Sequence, residues 1–161
     1  RYMDQPITPL YAFGHGLSYT DFAYGEPMLD RSEIAADGGA LTISVDVTNS
    51  GARSGDEVVQ LYMRDPVASI SRPVKQLRGF RRVALAPGET KRVSFTLTAD
   101  QFALWGKFGD WVIEPGEIEL MVGSASDDIR GRTSFTITGR GAGRIAPAAI
   151  ETRTLVMETG Q

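Results

Sequence analysis

The chain has no cysteine and one histidine, His15, in 161 residues. Without cysteine there is no disulfide framework and no thiolate metal site, and one histidine cannot form an imidazole cluster around a metal. The lack of cysteine suits the cytosol or a bacterial periplasmic protein that makes no disulfides. Asparagine also occurs once, at Asn49, and Asn49-Ser50-Gly51 is not a glycosylation acceptor. No apolar run approaches the roughly 20 residues of a membrane-spanning helix. A net charge of −3 argues against nucleic acid as a general partner. Gly14-His15-Gly16 lacks the third glycine and the preceding strand of a phosphate-binding loop. No signal peptide is visible, but the chain begins at Arg1, as a fragment of a longer protein would, and a fragment would have lost one.

What is present is mostly strand. Leu41, Ile43, Val45 and Val47 alternate with Thr42, Ser44, Asp46 and Thr48, the period of a half-buried strand. Val93, Phe95 and Leu97 alternate with Ser94, Thr96 and Thr98 in the same way. Ile118, Leu120 and Val122 form a third set, and Phe135 and Ile137 a fourth. Val58 to Met63 is apolar on both faces apart from Gln60, which predicts a central strand covered on both sides. Turns separate these runs at Asp37-Gly38-Gly39, Asn49-Ser50-Gly51, Ala86-Pro87-Gly88-Glu89 and Glu114-Pro115-Gly116-Glu117. No long amphipathic helix interrupts them. The pattern predicts an all-β fold, an immunoglobulin or fibronectin type III-like β-sandwich of seven to eight strands over residues 22–138. Trp105 and Trp111 are expected in or beside its core.

The two ends differ from this middle. Four of the five tyrosines (Tyr2, Tyr11, Tyr19, Tyr24) and two phenylalanines (Phe13, Phe22) fall in the first 24 residues, among Pro6, Pro9, Gly14 and Gly16. Proline and glycine exclude a regular helix there, yet large aromatics gain stability only by burial. Residues 1–21 therefore read as an arm that docks on a neighbouring surface, with Tyr11, Phe13, His15 and Tyr19 as anchors; the simpler alternative is an arm wrapped on its own domain. Residues 139–161 read as a C-terminal extension, in which Gly139 to Gly143 is a joint and Ile145, Ile150, Leu155, Val156 and Met157 supply anchors. It is expected to pack along the outside or against a second subunit, as in a homodimer.

Catalytic chemistry is hard to find. Glycosidic hydrolysis commonly needs two carboxylates flanking the scissile bond. The nearest pairs, Asp110 with Glu114 and Asp127 with Asp128, read as solvated turn residues, and His15 as a structural histidine. The unusual charge feature is basic: Arg72, Lys75, Arg78, Arg81 and Arg82 occur with no acidic residue between Asp65 and Glu89. With Leu77 and Phe80 interleaved, the segment is expected to face protein, with Arg72 and Lys75 pairing carboxylates of a neighbouring domain.

Five blocks carry a family resemblance. They are Pro9-Leu-Tyr-Ala-Phe-Gly-His-Gly-Leu-Ser-Tyr-Thr20, Glu57-Val-Val-Gln-Leu-Tyr-Met-Arg-Asp-Pro66, Ser71-Arg-Pro-Val-Lys-Gln-Leu-Arg-Gly-Phe80, Val83-Ala-Leu-Ala-Pro-Gly-Glu-Thr90 with Val93 to Leu97, and Pro115-Gly-Glu-Ile-Glu-Leu-Met-Val-Gly-Ser124. In this order they resemble the C-terminal region of glycoside hydrolase family 3 β-glucosidases, most closely the bacterial periplasmic type, over about residues 1–138. The resemblance implies a three-domain retaining enzyme. A barrel domain supplies an aspartate nucleophile, an α/β domain supplies a glutamate acid/base, and a fibronectin type III-like domain closes the chain. Residues 1–21 would then be the exit segment of the second domain. Neither catalytic carboxylate has a counterpart here, so this chain alone is expected to be inactive, with no cofactor and no metal. Its expected partners are the barrel and α/β domains, which bind the β-glucoside; nucleic acid and membrane are not expected. The expected location is periplasmic or secreted, with the cytoplasm left open. The rival readings are a carbohydrate-binding module, with Trp105, Phe108 and Trp111 as candidate stacking residues, and a free-standing adhesion-type sandwich.

Overall fold

The computed structural model of the chain describes residues 9–67, 74–142 and 152–159. Its centre is the strand pair predicted most plainly by alternation, β4 (Ala40–Asn49) and β7 (Thr90–Thr98). Their antiparallel register sets Leu41 opposite Leu97, Ile43 opposite Phe95 and Val45 opposite Val93, all buried. The alternate residues pair on the outer face. Hydroxyls meet at Ser44–Ser94 (2.8 Å) and Thr48–Thr90 (2.7 Å), and Arg92 forks onto Asp46 at 2.7 and 2.8 Å. β1 (Phe22–Tyr24) and β2 (Met28–Leu29) both pair with the far edge of β4.

The second sheet runs β3 (Glu33–Ala35), β11 (Ile129–Thr138), β10 (Gly116–Gly123), β5 (Gly55–Arg64), β6 (Gln76–Leu85). Among the described strands only β3 is parallel to its neighbour. The inner faces of the two sheets enclose one core, in which Ile118, Leu120, Val122, Phe135 and Ile137 from the second sheet meet Ile43, Val45, Phe95 and Leu97 from the first. Such burial is the main favourable term for a domain of this size. A small third sheet, β8 (Leu104–Trp105), β9 (Trp111–Ile113) and β12 (Gly141–Ala142), closes one end. Trp111 packs against the core, whereas Trp105 stands half exposed.

The tail adds a strand. β13 (Arg153–Glu158) pairs antiparallel with β7, so residues 153–158 of the expected extension form the edge of the first sheet. Val156 packs on the core, and Leu155 and Met157 point outward. Just before it, Thr152 donates its hydroxyl to the Arg78 carbonyl and accepts from Gln101 at 3.0 Å. The anchors Ile145 and Ile150 lie outside the described residues. Seven described strands have six or more residues, namely β4, β5, β6, β7, β10, β11 and β13, and the remainder are short additions.

Two register shifts reshape the second sheet. In β6, Gly79 sits opposite Leu61 and Leu77 opposite Tyr62, which leaves Arg78 as an extra residue. In β11 the shift beside Val122 and Gly123 leaves Arg130 extra. There it pairs Asp128 (2.7 Å), donates to the Phe22 carbonyl (2.8 Å) and covers the Tyr24 ring.

Candidate docking face

From Val59 to Met63 β5 is buried on both faces, whereas Val58, expected to be covered as well, is exposed because it opens onto the groove beside the arm. Gln60 and Tyr62 are 4% and 2% exposed. The arm covers Gln60. Gln60 donates its amide to the Gly14 carbonyl at 3.2 Å and to the Ser124 carbonyl, and accepts from the Tyr62 hydroxyl at 2.5 Å. The Ser126 amide donates to the Phe13 carbonyl at 2.9 Å, and Lys75 donates to the Ser126 carbonyl. Gly14 has φ of +82°, and a Cβ there would overlap the Gln60 amide. Glycine is needed on both counts. The buried Gln60 amide is satisfied from several sides, as a buried polar group must be.

The arm is thus fixed by its backbone, and its large side chains are left outside. Phe13 is 66% exposed, Tyr11 67%, Tyr19 93% and Leu17 93%. Between arm and sheet lies a groove of about 390 Å³, lined by Phe13, His15, Leu17, Val58, Leu77 and Phe80 with Asp56, Glu57 and Gln60 below. The bulge at Arg78 is what brings Leu77 and Phe80 to the same outward face. Phe80 is 64% exposed, while Leu77 is half buried. Four of the sequence-predicted docking residues, Phe13, His15, Leu77 and Phe80, therefore meet in one groove. Tyr11 joins them by ring contact with His15, with centroids 5.1 Å apart. Tyr19 lies outside the groove lining, and Arg72 falls outside the described residues. Lys75, expected to face a carboxylate of another domain, is held by Ser126 within the chain, and Arg82 forks onto Asp56 at 2.9 and 2.5 Å.

A buried carboxyl underlies one end of the groove. Tyr24 donates its hydroxyl to Glu57 Oε1 at 2.7 Å. Burial pushes the Glu57 carboxyl above the usual carboxylate range, opposed by the Tyr24 hydrogen bond and by the charge of Arg130. Burial and the neighbouring Glu57 also push the Tyr24 hydroxyl up. Sequence reasoning missed this pair; an acidic residue at an inward position of β5 was its only signal.

Two of the carboxylates singled out in the sequence, Asp128 and Glu114, and both tryptophans have plain structural partners. Asp128 accepts from Ser124 at 2.5 Å, and its Arg130 partner holds it below the usual range. Glu114 pairs Arg140 at 3.3 Å. Trp105 and Trp111 stack edge to face, with rings 5.4 Å apart and planes at 75°, so they do not form a flat platform with Phe108. Among the described residues no group of three or more His, Cys, Asp or Glu could hold a metal ion.

Known proteins share this architecture. Residues 57–126 match the fibronectin type III-like domain family. The chain is 50% identical over 132 residues to a β-xylosidase of Formosa agariphila, covering 81% of this chain and 18% of that protein. It is 44% identical over 131 residues to thermostable β-glucosidase B of Acetivibrio thermocellus, covering 80% and 17%. Among solved structures, a β-glucosidase of Erythrobacter marinus superposes with a TM-score of 0.79 at 45% identity, over 85% of this chain and 18% of that one. The β-glucosidase of Listeria innocua in complex with glucose superposes with the same score at 37% identity, over 86% and 19%. This chain contains a fibronectin type III-like domain, and it spans less than a fifth of the length of these relatives.

Proposed function

We propose that this chain is a non-catalytic, structural domain of a retaining family 3 β-glycosidase that removes terminal β-linked glucosyl residues, and that its arm and groove dock against the catalytic domains. The observation that carries this reading is the orientation of the arm. Its backbone is locked to Gln60 and Ser126, while Tyr11, Phe13 and Leu17 face outward beside Phe80. Exposed apolar clusters of this kind mark protein-binding surfaces. The homologous proteins are several times longer and are named for β-glucosidase and β-xylosidase activities, which supports a catalytic remainder as the occupant. A rigid sandwich clamped on two catalytic domains would hold their carboxylates in register, where misplacement by about 1 Å costs about a hundredfold in rate.

The reaction carboxylates belong to the absent domains in this reading, and the chain alone is inactive. The proposed location is the periplasm or the cell exterior, and a homodimer is the proposed assembly. The test uses the full-length protein: Phe13→Ala with Phe80→Ala should lower thermal stability and soluble yield while KM for an aryl β-glucoside changes little. An unchanged melting temperature with a large rise in KM would place these residues at the substrate instead. Turnover of the aryl glucoside by the 161-residue chain itself, abolished by Asp110→Asn or Asp127→Asn, would overturn the non-catalytic assignment.

A further inference from the structure

A second concavity, of about 600 Å³, shares no lining residue with the docking groove. It lies against the small third sheet, between the β8–β9 turn and β12, and within the about 300–1,000 Å³ range of small-ligand sites. Its chemistry is mixed in a particular way. Two carboxylates, Asp110 and Glu114, face it together with two cations, Lys107 and Arg140, and with the ring of Phe108. Phe108 is 85% exposed, and the Lys107 ammonium sits 4.9 Å from its ring centroid. Gly106 and Gly141 are part of the lining. At Gly106 a Cβ would stand 3.1 Å from Asp110 Oδ1, so a side chain there would crowd that carboxylate. The turn that carries these groups is braced by Gly106 donating to the Asp110 carbonyl at 2.7 Å and Gly109 donating to the Gly106 carbonyl at 3.1 Å.

From this arrangement we propose that the β8–β9/β12 pocket is a non-catalytic binding site for a neutral oligosaccharide. Balanced charge excludes the simpler ligands. An anion would meet Asp110 and Glu114, a cation would meet Lys107 and Arg140, and a purely apolar ligand would strip water from all four without replacing its hydrogen bonds. Sugar hydroxyls both donate and accept, so adjacent hydroxyls can bridge a carboxylate and a guanidinium, while the C–H face of the ring covers Phe108. The Lys107 ammonium lies over one face of that ring, so the sugar takes the other face, which the high exposure of Phe108 leaves open. Recognition falls on one aromatic residue and a polar ring of side chains, not on the tryptophans. That the glycan is β-linked rests on the proposed function; the site itself does not.

The experiment is affinity electrophoresis of the full-length protein in native gels containing soluble xylan or mixed-linkage β-glucan, with an aryl β-glucoside assay alongside. Wild type should be retarded by at least one of the polysaccharides. Phe108→Ala and Arg140→Ala should each weaken the apparent affinity about fivefold, the loss of one net hydrogen bond or equivalent contact, with kcat/KM for the aryl glucoside within about twofold of wild type. Both side chains are exposed, so the variants should fold, and melting temperatures check this. No retardation of wild type, or equal retardation of wild type and both variants, overturns the site. Retardation lost in the variants of a protein with no glycosidase activity would keep the site and sink the enzyme reading.

Discussion

The Thr20 hydroxyl donates to Asn49 Oδ1 at 2.7 Å, joining the end of the arm to the end of β4. The same oxygen takes the Gly51 amide at 3.1 Å, and the Asn49 amide donates to the Arg53 carbonyl at 2.7 Å and the Leu85 carbonyl at 3.0 Å. The side chain has two donors and two acceptor sites, all used, at a residue fully buried. Replacing Asn49 by alanine strands several of these partners, each costing about 1–3 kcal/mol if it stays dry. Thr20→Val removes one bond and should cost about 1 kcal/mol. Urea unfolding of both variants should show Asn49→Ala as the far more damaging change; equal effects would mean that water replaces the amide.

The arm predicts a contrast between contexts. In the isolated chain Phe13 is mostly exposed, so Phe13→Ala should change stability by under about 1 kcal/mol. In the full-length protein the same change should cost about 3–5 kcal/mol if the ring is covered by another domain. Thermal unfolding of both proteins, with and without the substitution, measures this. Small effects in both would show that nothing covers the arm.

Glu57 makes stability depend on pH in the opposite sense to the ion-paired aspartates. Its native carboxyl holds a proton more tightly than the unfolded chain does. Its contribution is therefore complete below the unfolded value of about 4.3 and is lost as pH rises through the raised native value. Asp46 and Asp128, held low by Arg92 and Arg130, contribute above the unfolded value of about 3.9, and that is lost as pH falls through their lowered native values. Glu57→Gln keeps an acceptor for Tyr24 and should gain on wild type as pH rises from about 4 toward neutrality. Denaturant titrations across that range decide it, and parallel curves would remove Glu57 from the account.

Strand β13 should protect its neighbour. Removing residues 144–161 uncovers the long edge of β7 and the core contact of Val156. Bare edges pair with other chains. The shortened protein should melt lower and gain mass with concentration in light scattering. Unchanged mass and melting temperature would show that β13 contributes nothing to either.

Much of this fold was legible because one sheet face meets water. Alternation in β4 and β7 identifies the inward residues before any partner is known. β5 was legible as a strand covered on both sides, but its cover was not, since the Gln60–Gly14 contact joins positions 46 residues apart with no local pattern. The arm's composition states that aromatic residues need a surface without saying which side of the arm presents them. In the structure the backbone meets the domain and the rings do not. Leu155-Val156-Met157 reads as apolar anchors in sequence, yet strand geometry sends only the middle residue inward. The oligosaccharide pocket gave little signal, because its lining comes from two separate stretches that meet only when β12 pairs with β9.

The extra residue in β6 is a place in the chain that the groove can fill with any side chain, or lose, without turning its own residues inward. Leu77 and Phe80 are three positions apart, a spacing that puts them on opposite sides of a regular strand. Arg78 brings them to the same side simply by occupying a place. Exchanging Arg78 alters contacts with Gln76 and Met63 but leaves the count intact. Deleting it would leave Leu77 and Phe80 two positions apart, the same-face spacing of a regular strand, so both would still face outward and only the extra twist of the bulge would be lost. Among relatives, a single-residue gap at this point should therefore keep the docking residues on their face, and substitutions there can drift.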